Sequence, residues 1–191
     1  MKSLKISFAL VAIASLASIY TYIRYLDHYT SPYLDVVINS HVLGESRKIF
    51  IRLPDKYNAQ KRYPLVIKTD GNFNLDRWAE TVAKHDDAIV VAIPNQFWTD
   101  TRNRDLVPPF ARKDVNINAR PTNETARELF GRADTFLAFI ETELLPYIES
   151  RYKISDDRSL SGYSAGGSFV LYTMITHPSL FNAYFAFSPA A

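Results

Sequence analysis

The sequence predicts an α/β protein, with a mostly parallel sheet carrying helices on both faces. Three observations carry that expectation. Two strand patterns flank Gly44-Glu45 near the start, as in an antiparallel hairpin. Wholly apolar runs then alternate with stretches of helical spacing, the pattern of parallel strands joined by crossover helices. Finally, Gly162-Tyr163-Ser164-Ala165-Gly166 falls between a strand pattern and a helix pattern.

The elements follow in order. Leu34–Leu43 and Ser46–Leu53 form the hairpin, the second ending at Pro54. Tyr63–Lys68 reads as a buried strand stopped by Asp70-Gly71. Asn74–Lys84 has helical spacing, with Leu75, Trp78, Ala79 and Val82 on one side. Ala88–Ile93 is apolar throughout, as a central strand covered on both faces should be. Gln96–Asn123, rich in charge and holding Pro108, Pro109 and Pro121, reads as a long irregular stretch of the kind that often carries function. Arg132–Tyr152 is an amphipathic helix that Pro146 should kink. Arg158–Ser161 is a short strand, Ala165–Thr176 a helix and Ala183–Phe187 a final strand.

The N-terminus reads differently. Lys2 and Lys5 precede an uncharged run from Ile6 to Ile23 that Arg24 closes. As a helix that run would span roughly 27 Å, near the thickness of a hydrocarbon core. Two readings stand side by side. One is a cleaved secretory signal, with Ala12-Ile13-Ala14 or Ser15-Leu16-Ala17 supplying small residues. The other is an uncleaved membrane anchor with Tyr20, Tyr22 and Tyr25 at the interface. Either places the rest of the chain outside the cytoplasm, in a periplasmic or extracellular setting. The expected organisation is therefore residues 1–26 as signal or anchor, 27–33 as linker and 34–191 as the α/β domain.

Composition narrows the function classes. The 191 residues include 22 Lys+Arg and 20 Asp+Glu, for a net charge of +2. Charge spread this evenly excludes a dedicated nucleic-acid binder. With no Cys there is no disulfide, thiolate metal site or Cys nucleophile. No His/Asp/Glu cluster has metal-ligand spacing, so neither metal nor cofactor is expected. Asn123-Glu124-Thr125 matches a glycosylation sequon at the level chance supplies.

The chemistry centres on Ser164. In a Gly-x-Ser-x-Gly elbow the serine sits on a strained strand-to-helix turn, and only small neighbours let that turn close. Its hydroxyl is thereby raised above the sheet, at a helix N-terminus that favours developing negative charge. The bland alternative is a glycine-rich turn with a buried serine.

The run from Ser159 to Gly167, followed by His177-Pro178-Ser179-Leu180-Phe181 and Ser188-Pro189, resembles the putative-esterase group of α/β-hydrolases. That group includes enterochelin-esterase-like proteins, S-formylglutathione hydrolases and mycolyltransferases. Asp70-Gly71-Asn72-Phe73, Ile93-Pro94-Asn95, Arg102 to Pro108 and Phe136 to Ile148 agree with it. The resemblance runs from about Ser46 to the last residue and is strongest toward the enterochelin-esterase-like branch. It implies a Ser164 nucleophile and an oxyanion hole from the N–H of Ala165 and a second one after Asp70-Gly71, at Asn72. Asp70, Arg102 and Arg104 are candidate substrate-binding residues. Asp70 reads equally well as a turn residue, and the two arginines as a solvated pair.

A serine hydrolase also needs a base and an acid, in the chain order Ser, Asp or Glu, then His. After Ser164 there is no Asp or Glu, and the only later His is His177. Along a continuous helix it would lie about 20 Å away, beyond hydrogen-bond reach. It reads as a helix C-terminal residue; His28, His41 and His85 read as surface residues. The family pattern continues past the point where this chain stops, so the expectation is an N-terminal portion with an incomplete triad and C-terminal strands missing. The functional expectation is a serine carboxylic-ester hydrolase acting through an acyl-enzyme on a small-molecule ester. The alternative is an inactive truncated remnant or a membrane-tethered binding module. Exposed apolar surface on Ala183–Phe187 is expected to promote aggregation.

Overall fold

The computed structural model describes residues 2–29, 33–72, 87–96, 101–109 and 130–190. It divides into two units, residues 1–32 and 33–191.

The first unit is one helix, α1 (Lys2–Tyr29). Its Leu10, Val11, Ile13, Leu16 and Ile19 are all exposed. Among the described residues no helix is long and apolar enough to cross a membrane.

The second unit is built on a six-stranded sheet. Strands β1 (Leu34–Ser40) and β2 (Glu45–Arg52) form the expected antiparallel hairpin. Its turn is closed by Gly44 at φ 68°, a conformation that suits glycine. Then come β3 (Tyr63–Lys68), β4 (Ile89–Ala92), β5 (Ile154–Tyr163) and β6 (Ala183–Phe187). The order across the sheet is β1-β2-β4-β3-β5-β6, with β2 antiparallel to β4 and the pairs β4-β3, β3-β5 and β5-β6 parallel. The sheet is thus mixed and mostly parallel, as predicted.

One face of it makes the main core. Ile49, Ile51, Leu65, Ile67, Ile89, Val91 and Leu160 point to that face and are fully buried against Phe136, Phe139 and Phe169 of the helices. Phe136 and Phe169, with ring centroids 5.2 Å apart, lock two of those helices together. Strand alternation sends Phe50 and Ala92 to the other side, where Tyr33 packs on them. Phe185 and Phe187 of β6 are about half exposed, at 49% and 51%, matching the apolar surface expected there.

Several elements differ from expectation. The stretch read as irregular contains a helix, α2 (Thr101–Leu106), too short and too polar to show periodicity. Buried charges rather than an apolar stripe hold it. Strand β5 begins at Ile154 rather than Arg158, because its polar start, Ser155-Asp156-Asp157, hides a strand that reaches Tyr63 of β3. Strand β4 is shorter, Ile89–Ala92.

The amphipathic helix is three pieces: α3 (Ala133–Phe139), a π-helical turn over Ile140–Leu144 and α4 (Leu145–Glu149). Pro146 has no N–H to give Thr142, and just before it Leu145 donates instead to Ile140, five residues back. That shift turns Glu143 onto the β1-β2 turn, where it accepts from the amides of His41 (2.9 Å) and Val42 (3.2 Å). Helix α5 spans Ala165–Thr176, as predicted. The predicted helix Asn74–Lys84 lies outside the described residues.

Candidate active site

The site is built where β5 turns into α5. Ser164 adopts φ 56° and ψ −118°, left-handed backbone that a non-glycine residue holds only when its surroundings enforce it. The enforcement is visible. Its N–H donates to the carbonyl of Phe187 (3.0 Å), and its own carbonyl accepts from Ser168 (3.0 Å) and Ala190 (3.1 Å).

The flanking glycines are required by contact. A Cβ on Gly162 would lie 2.2 Å from the Gly166 carbonyl oxygen, and one on Gly166 would lie 2.4 Å from Thr69 Oγ1. Thr69, itself buried, therefore sits wedged against both. Its N–H donates to Ser161 (3.0 Å), docking the end of β3 on the elbow. Among the described residues no side chain hydrogen-bonds the Ser164 hydroxyl. Directly after it, Ala165 opens α5, so its N–H has no acceptor within the helix.

The second half of the site is the turn after β3. Asp70 is also left-handed, at φ 53°, and its carboxylate is buried. Arg102 of α2 grips it with two bonds, Nε to Oδ1 (2.9 Å) and Nη2 to Oδ2 (3.1 Å). Asn95, just past β4, donates from Nδ2 to Oδ1 (2.7 Å) and from its backbone to the Asn72 side-chain oxygen (3.0 Å). Gly71 lies directly on β4, where a Cβ would come within 2.7 Å of the Ile93 nitrogen. The Lys68 ammonium donates to the carbonyls of Thr69 (3.1 Å) and Asp70 (2.9 Å). Burial pushes Lys68 down to about 8, against the opposing pull of Asp70.

The structure thus brings Ser164, Ala165, Asp70, Asn72 and Arg102 to one edge of the sheet, outside the carboxyl ends of β3, β4 and β5. Arg104 goes elsewhere. It pairs with Glu45 through both η nitrogens (2.9 and 2.6 Å) and with Asp105 through Nε (2.7 Å), and Asp105 in turn binds fully buried Arg47. Burial alone would raise the Glu45 carboxyl, but its bonds to Arg104 and Arg47 outweigh that and hold it below its ordinary value.

His177 sits at the far end of α5, its Nδ1 3.0 Å from Thr176 Oγ1 and its Nε2 3.7 Å from Glu141. His85 lies outside the described residues. Thr69, Asn95 and Lys68 are parts of the site that the sequence reading assigned no role. Only Asn95 left a signal there, as the polar residue following Pro94 at a strand end.

An elbow serine on a mostly parallel sheet of this order defines an α/β-hydrolase type of protein. The family model described as "Putative esterase" matches residues 40–191, and the chain belongs to that family. It is 30% identical over 176 residues to the ferri-bacillibactin esterase BesA of Bacillus subtilis (strain 168), covering 85% of this chain and 60% of that one. The siderophore triacetylfusarinine C esterase of Aspergillus fumigatus is 31% identical over 150 residues, covering 71% and 47%. Among solved structures, an IroE-like serine hydrolase from Shewanella oneidensis superposes with TM-score 0.67 at 30% identity, covering 81% of this chain and 49% of that one. The BES protein from Bacillus cereus gives TM-score 0.68 at 25% identity, covering 84% and 62%. The chain spans 60% or less of the length of these curated relatives.

Proposed function

We propose that this chain is a serine carboxylic-ester hydrolase working through an acyl-enzyme on Ser164. One observation carries the reading: at the N-terminus of α5, beside the Ala165 N–H, stands a strained Ser164 whose hydroxyl is bonded by no side chain among the described residues, in a member of an esterase family. Ser164 Oγ would attack the ester carbonyl while the Ala165 N–H, and a second donor at Asn72, meet the oxyanion. Collapse breaks the bond to the alcohol, which leaves with a proton, and water then releases the acid from Ser164. Relatives named as esterases of siderophores support a siderophore ester as the substrate class. Among the described residues no His stands beside the Ser164 hydroxyl, and His177 lies at the far end of α5. The chain is exported, with residues 1–26 as a cleaved signal or an uncleaved membrane anchor; cell fractionation with N-terminal sequencing of the exported protein tests both.

A second reading, an inactive remnant or tethered binding module, is favoured by the lack of a His beside Ser164 among the described residues. Hydrolysis of p-nitrophenyl acetate and butyrate by the chain and by Ser164→Ala separates the two. Turnover lost in Ser164→Ala supports the esterase. No turnover by either folded protein supports the second reading, and equal turnover by both removes Ser164 from the chemistry.

A further inference from the structure

The geometry points to the Arg102–Asp70 ion pair as a positioning element of the oxyanion hole, an inference that rests on the esterase reading. Asp70 is the residue on which the two halves of the site meet. Its Oδ2 would lie 3.3 Å from a Cβ on Gly166, which places the carboxylate against the first turn of α5. A lone carboxylate there would repel the negative charge that the same helix end has to stabilise.

Arg102 answers this in two ways. Its bidentate grip cancels the charge, and it fixes the side chain of a left-handed residue that introduces the Asp70–Asn72 turn. Asn95 extends the grip by binding Asp70 Oδ1 and Asn72 together. Arg102 is 32% exposed while Asp70 is 7% exposed, so the clamp reaches the buried anion from the open side of the site. Arg102 therefore acts through the turn and through Asp70, without touching the reacting atoms.

Phenylboronic acid tests this on the 191-residue chain, because its tetrahedral serine adduct carries the oxyanion-like charge. Binding is followed by boron NMR, and hydrogen exchange is read at residues 69–72. Arg102→Gln is expected to weaken the adduct about 10-fold to 100-fold and to speed exchange at Gly71 and Asn72. Arg102→Lys should recover part of the affinity. The double variant Asp70→Asn/Arg102→Gln, which removes both charges, should bind more tightly than Arg102→Gln alone.

Unchanged exchange at residues 71–72 in Arg102→Gln overturns the clamp. Faster exchange with unchanged boronate affinity reduces the pair to a structural contact, as does a double variant no better than the single. If the parent forms no adduct that Ser164→Ala abolishes, the esterase reading fails. The clamp is then decided by exchange alone.

Discussion

Arg102 and Arg104 stand two residues apart on one short helix and do opposite work. Residues so spaced point about 200° apart around a helix. Arg102 turns to the site edge and grips Asp70; Arg104 turns inward to Glu45 and Asp105, with fully buried Arg47 behind them. The inward cluster ties the β1-β2 hairpin to α2 and is a matter of stability. The outward pair joins a partly exposed Arg102 to a buried Asp70, beside a strained turn and a strained serine. A six-residue helix with almost no apolar periodicity is thus kept in place by charge on both sides, and the two sides differ in what their loss should cost.

Four measurements sharpen or break that contrast. The largest loss belongs to the inward side. Asp105→Asn takes one of two carboxylates from fully buried Arg47, leaving it Glu45, which it shares with Arg104. The change should cost about 3 kcal/mol in urea unfolding, with an unchanged Ser164 geometry. A loss under about 1 kcal/mol would mean that the cluster is solvated and the contrast unfounded.

Second is Lys68, a cation buried on the site side. Below pH 8 both folded and unfolded chains bind its proton; between about 8 and its ordinary value of 10.5 only the unfolded chain does. Stability should therefore rise with pH across that window, by at most about 3 kcal/mol, and Lys68→Met should flatten the rise. Parallel pH curves for the two proteins would show that Lys68 keeps its proton.

Third is Gly166→Ala. Its methyl meets Thr69 Oγ1 at 2.4 Å, and stiff, buried Thr69 has little room to withdraw. Calorimetric or urea unfolding should show a loss of about 2 kcal/mol. The smallest stability effect is expected for Arg102→Gln, about 1 kcal/mol by the same unfolding assay, because the side chain is a third exposed and Asn95 still binds Asp70. If Arg102→Gln costs as much as Asp105→Asn, the two arginines are not different in kind.

Much of this was legible in advance, and the reason is local. Ser164, Ala165 and the two glycines occupy one pentapeptide, so their strand-turn-helix context could be read from adjacent residues. The hairpin, β6 and α5 carried clear patterns of alternation, apolar run or helical spacing. What failed to show was whatever depends on distant partners. Helix α2 is held by Glu45, Arg47 and Asp70, each more than thirty residues away. The start of β5 is polar and becomes a strand only beside β3. Arg102 and Arg104 looked like one feature because the sequence shows spacing, whereas burial separates them. Thr69 gave no sign at all, since its importance comes from glycines more than ninety residues on.

The most direct test of Ser164 as nucleophile is its reaction with diisopropyl fluorophosphate, followed by intact mass and peptide mapping of the 191-residue chain. A single adduct on Ser164 is predicted, absent in Ser164→Ala. It should form slowly, since no described His lies beside the hydroxyl, and faster with added imidazole. A folded chain that stays unmodified at Ser164, or takes up the reagent at other hydroxyls equally, would contradict the assignment of this elbow as a catalytic one.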